Sequence, residues 1–94
     1  MSDVDEYLKL TRETMPALAK DRGWPVSADH CFQRIVLDHI AGGTWYDHIP
    51  RPAYKHLTNA QARAAVALCE AIIDGSADLH ALNRASLAHR GKLR

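Results

Sequence analysis

TNAQARAAVALCEAIIDG, residues 58–75, carries a helix with both of its ends written in. Thr58 and Gln61 form a T-x-x-Q capping box, in which the threonine hydroxyl satisfies the Gln61 amide and the glutamine side chain returns to the Thr58 amide. Leu57 stands before the cap as a hydrophobic staple. Alanine, the best helix former, fills the body. Ala62, Ala65, Val66, Cys69, Ile72 and Ile73 recur at spacings of three and four and so make one buried stripe. Gly75 follows as the residue that closes such a helix in a left-handed conformation. The stretch predicts a helix over 59–74.

The same signals extend outward in both directions. Ser76 predicts the cap of a last helix over 77–90, with Leu79, Leu82, Ser86 and His89 on one face and Gly91 as terminator. At the start of the chain, Ser2 followed by Asp3, Asp5 and Glu6 predicts a capped helix over 3–20 whose apolar face is Val4, Tyr7, Leu8, Thr11, Met15 and Leu18. Pro16 removes an amide donor and crowds a carbonyl, which predicts a kink or a restart there. After the Gly23-Trp24-Pro25 connector, Ser27 predicts the cap of a helix over 28–41. Its buried side is Cys31, Phe32, Ile35, Val36, His39 and Ile40, while Gln33, Arg34 and Asp38 face away. Gly42-Gly43 ends it. Every β signal is weak. The fold class is therefore all-α: a single domain over 1–94, an orthogonal or bundle-like arrangement of about four helices with a structured aromatic loop over 42–58.

Composition agrees with one small core. Ninety-four residues leave no room for a second, and 47% hydrophobic against 24% charged residues excludes disordered, collagen-like and disulfide-scaffold classes. The net charge of +1 gives no overall field to draw the chain to nucleic acid or anionic lipid. The charge is nonetheless uneven, −3 over residues 1–47 and +4 over 48–94, with a basic tail of Arg84, Arg90, Lys92 and Arg94. Cys31 and Cys69, far apart and each in an apolar stretch, read as core thiols. The acidic opening MSDVDEYLKL has no apolar signal region and no run of eighteen apolar residues exists, so a cytoplasmic protein without membrane contact is expected.

The segment GGTWYDHIPRPAYKH, residues 42–56, differs in kind from the helices around it. Its prolines and glycines forbid a long regular element, and short helical turns around 45–49 and 52–56 are expected. Trp45, Tyr46, Asp47, His48, Arg51, Tyr54 and Lys55 are the candidate contact residues, with Arg90 and Lys92 as a second patch. Cations interleaved with aromatic rings suit single-stranded nucleic acid or an acidic peptide. They equally suit a protein–protein hot spot, where Trp, Tyr and Arg dominate. The structural alternative is that Trp45, Tyr46, Ile49 and Tyr54 plug the open side of the bundle. A helix-turn-helix is disfavoured, because the 59–74 helix offers alanine where a recognition helix offers polar side chains.

No motif assigns a catalytic residue, a cofactor or a metal. Asp-His occurs at 29–30, 38–39 and 47–48, but nine residues of helix put His30 and His39 on opposite faces, and Gly42-Gly43 breaks the period before His48. A zinc site across elements from His30, Cys31, His48 and His56 lacks any supporting spacing. Cys31 with His30 and Asp47 is a weak nucleophile–base arrangement. Gly42-Gly43 has no phosphate-loop context.

Residues 29–57, with their D-H-C-F, W-Y-D and R-P-A-Y elements, and residues 82–92, ending in R-G-K, resemble a group of short bacterial proteins labelled GCN5-related N-acetyltransferase. The resemblance implies a recurring helical module that accompanies other proteins, and it transfers no catalytic residue. Acetyltransferases of that superfamily use a mixed α/β sheet and an R/Q-x-x-G-x-G/A loop, and the sequence carries neither. The expected function is a non-enzymatic interaction module with a protein partner, self-association included. Nucleic-acid binding through the basic-aromatic loop and tail is the alternative, and an acetyltransferase-related protein the second.

Overall fold

The first rod begins where Ser2 accepts a hydrogen bond from the Asp5 amide at 3.1 Å and caps α1 (Asp3–Lys9). It runs on through a π turn (Leu10–Thr14) into α2 (Met15–Arg22). Within the turn the Met15 amide reaches back five residues to the Leu10 carbonyl. Pro16 has no amide hydrogen, and its ring presses on the carbonyl four residues earlier, that of Arg12. The wider turn just before it accommodates both conflicts. The interruption predicted at Pro16 is thus a π turn rather than a restart, and the rod continues past Lys20 to Arg22. Gly23, at φ +62°, ends it, and the Trp24 amide closes on the Ala19 carbonyl.

The computed structural model describes residues 2–91 and contains two further short turns and three longer helices. α3 (Asp29–Ala41) starts at Ala28 without a side-chain cap, so the predicted Ser27 cap is not used. The expected short turns are 3₁₀ helices at Trp45–Asp47 and Ala53–Lys55. α4 (Asn59–Asp74) has the full capping box, with Gln61 N to Thr58 Oγ1 at 3.1 Å and Thr58 N to Gln61 Oε1 at 2.9 Å. α5 (Leu79–His89) is capped by Asp78, whose Oδ1 accepts from the Ala81 amide. Ser76, predicted to cap from position 77, instead donates its hydroxyl to the Ala71 carbonyl near the end of α4. The α5 helix is accordingly shorter than the predicted 77–90.

The architecture is all-α, with no strand among the described residues. α1 packs on α4, α3 packs on both α4 and α5, and the π turn packs on α3. The short dimension of 20 Å is two helix diameters, so the molecule is two layers deep. Tyr7, Met15, Phe32, Ile35, Val36 and Cys69 fill the seam between layers. Each large apolar side chain buried there contributes roughly 1.5–3 kcal/mol over leaving it in water. Cys69 is the core thiol expected, whereas Cys31 is only half-buried. His39, expected on the buried side of α3, is exposed. Among the described residues no helix is long and apolar enough to cross a membrane.

Candidate functional site

Asp38, expected to face away from the core, is buried at 1% exposure and holds the loop in place. Its Oδ1 accepts from the Trp45 backbone amide at 3.0 Å, which fixes the start of the first 3₁₀ turn. Its Oδ2 accepts from the Ser86 hydroxyl at 2.6 Å and pairs with the Arg90 guanidinium. Ser86 in turn accepts from Arg34 at 2.6 Å, and Arg34 also donates to Asn83 Oδ1 at 2.8 Å. One carboxylate, one hydroxyl and two guanidiniums thus join α3, α5 and the loop. A buried charge survives only when paired and hydrogen-bonded in this way. The α3 face that carries Arg34 and Asp38 is therefore an interface with α5.

From that anchor the loop presents its rings and cations together. The Arg51 guanidinium lies over Tyr46 at 4.6 Å and over Trp45 at 5.8 Å. Arg90 also lies over the Tyr46 ring at 5.5 Å. Arg12, from the π turn, covers Tyr54 at 5.7 Å, with the Lys55 ammonium at 6.0 Å from the same ring. Trp45 is half-buried, Ile49 is buried, and Tyr46 and Tyr54 are the exposed large aromatics at 43% and 36%. The loop is consequently divided: Ile49 and Trp45 close the bundle, and Tyr46 and Tyr54 stand outside it.

A cleft of about 400 Å³ opens between α1, the π turn, α3 and the loop. Trp45, Arg51 and Tyr54 line it from the loop, and Leu8, Arg12, His30, Gln33 and Arg34 line it from the helices. The structure therefore brings together three of the residues singled out in the sequence. Tyr46 joins them through Arg51, while Asp47, His48 and Lys55 are exposed outside the cleft lining. Arg90 belongs to the Asp38 network rather than to a separate patch, and Lys92 lies outside the described residues. Sequence reasoning missed Arg12, Gln33 and Arg34, which reach the cleft only through tertiary packing. The one available signal was Ser86, a hydroxyl on an apolar stripe.

The remaining reactive groups are arranged without convergence. Among the described residues no three of His, Cys, Asp and Glu meet at one point. The carboxylate near His30 is its neighbour Asp29, 3.6 Å from Nδ1. Burial, with a further contribution from nearby Glu70, pushes the Cys69 thiol up to about 12. Burial likewise raises the Tyr7 hydroxyl well above the ordinary phenol range. Comparison with protein-family models, curated proteins and solved structures finds no match to the chain.

Proposed function

We propose that the chain is a non-enzymatic binding module that takes a protein partner on the face built from the 42–58 loop and the π turn. The observation that carries this reading is the pairing of each exposed ring with a guanidinium: Tyr46 with Arg51 and Arg90, Tyr54 with Arg12. Rings and guanidiniums that hold one another lose little freedom on binding, which is what makes Tyr and Arg effective anchors in protein interfaces. An acetyltransferase reading finds no sheet among the described residues to carry a coenzyme loop.

The test is affinity capture from lysate in the presence of nuclease, using the native chain, a Tyr46→Ala/Tyr54→Ala variant and a Lys20→Ala control on exposed α2 surface. The reading expects a protein that the native chain and the control retain and the double variant loses. Loss of all captured material on nuclease treatment favours nucleic acid instead. Capture indifferent to the two tyrosines overturns the choice of face.

A further inference from the structure

The cleft has an unequal lining. Leu37 and Ala53 are buried and Trp45 half-buried, so its depth is apolar, whereas Arg12, Arg51 and His30 are exposed and form its mouth. Among the described residues no aspartate or glutamate lines it. Among the described residues Arg12 and Arg51 pair with no carboxylate, and each is held against an aromatic ring. Arg34 is different, because its guanidinium is already taken by Asn83 and Ser86. Unpaired cations at the mouth of a concave, low-dielectric site add their fields and favour an anion there. The second cleft, beside Trp24, is lined by Arg22 and Asp78 together and has no such preference of sign.

We infer that this cleft binds an organic anion with a compact apolar body and a single carboxylate or phosphate head. The body sits on Leu37, Trp45 and Ala53, and the head meets the Arg12 and Arg51 guanidiniums. The inference deepens the partner-binding reading and rests on it only for the choice of face. Clefts of roughly 300–1,000 Å³ are the size that encloses small ligands, so this one takes one side chain or one small acid rather than a folded surface. A guanidinium offers two parallel donors to a carboxylate or phosphate, and stacking on a ring orients that fork beforehand. The anion is either a free small acid or an acidic residue of the partner.

Titration of ¹⁵N-labelled protein distinguishes these. The probes are 3-phenylpropionate, phenyl phosphate, the neutral 3-phenylpropanol and the capped acidic hexapeptide acetyl-EELFEE-amide. Saturable shifts are expected at the Trp45 indole N–H and the Leu8 and Leu37 amides, with the anions about tenfold tighter than the alcohol or better. Arg12→Ala/Arg51→Ala weakens anion binding by about tenfold or more, and Arg51→Lys, which keeps charge but loses the fork, falls between. Lys20→Ala, on exposed α2 surface, leaves binding unchanged. Arg12 and Arg51 are exposed and unpaired, and matched unfolding midpoints verify that the variants fold.

Equal affinity for alcohol and anion overturns the inference. So does an unaffected double variant, or the absence of saturation for every anion at about 10 mM, beyond the weakest useful affinity. If the peptide binds more tightly than phenylpropionate and extends the shifts to Tyr46, the anion comes from a partner. If the small acids bind and the peptide does not, the site stands as a receptor for a free acid, and the partner reading is decided by the lysate capture alone. If no anion binds while lysate capture still depends on Tyr46 and Tyr54, the partner reading stands and the cleft has no part in it.

Discussion

Asp38 receives the Trp45 amide, the Ser86 hydroxyl and the Arg90 guanidinium on one buried carboxylate. Its substitution is therefore costly out of proportion to its size. Asp38→Ala leaves Arg90 beside Arg34 with no counter-charge, and a loss of about 3–5 kcal/mol in urea unfolding is expected. Asp38→Asn keeps an acceptor and costs less. In the sequence this residue reads as facing away from the core, because it shares a side of the helix with Gln33 and Arg34. The partners that bury it lie 48 and 52 residues further along, beyond the reach of any local pattern. The two thiols separate just as sharply. Iodoacetamide is expected to label half-buried Cys31 first and Cys69 only on unfolding, since Cys69 is fully enclosed with its thiol pushed up to about 12. Both Cys69 and Tyr7 hold their protons more tightly folded than unfolded. Their contribution to stability is whole below the unfolded thiol value of about 8.5 and is lost as pH rises toward the folded one. Urea midpoints that fall steadily above that pH, and are flat from neutrality up to it, are the expected result.

At the scale of the element, legibility follows the distance over which a signal acts. The α4 capping box and its closing glycine are each complete within a few residues, and the helix occurs over 59–74 as read. Thr58→Ala is expected to cost about 1 kcal/mol in thermal unfolding. Gly75→Ala, forced to φ +86°, costs about 1–2 kcal/mol although open space surrounds the new methyl group. The start of α5 departs from the reading: Ser76 predicts a helix from 77, whereas Asp78, two positions on, is the cap. What decides between them is the Ala71 carbonyl, which takes the Ser76 hydroxyl and leaves the role to Asp78. Ser27 fails for a related reason: α3 begins beyond it at Ala28, in extended backbone with no side-chain cap.

Over the whole molecule, the candidate contact loop is legible in the sequence, but the cleft that Trp45, Arg51 and Tyr54 line is not. The loop is legible because its rings and cations lie within a dozen residues, whereas the cleft needs Arg12 and Gln33 brought in from two other helices. Its uniform sign bears on assembly. Two copies meeting cleft to cleft would oppose Arg12 and Arg51 with themselves, and among the described residues no acid lines the cleft to meet them. Light scattering at high micromolar concentration and low salt is therefore expected to give the single-chain mass of 10.5 kDa. A dimer would require another face. The π turn has a last consequence, which concerns length rather than chemistry. Its extra residue advances everything after it by about 100° around the rod, so α1 can address α4 while the turn addresses α3. The chain is counting residues here. Glu13→Ala, on exposed surface, is expected to stay within about 0.5 kcal/mol of the native protein. Deleting Glu13 throws the two halves of the rod out of phase, and cooperative unfolding should disappear from the melting curve. Across Leu10–Thr14, then, the identity of an exposed residue is negotiable and the number of residues is not.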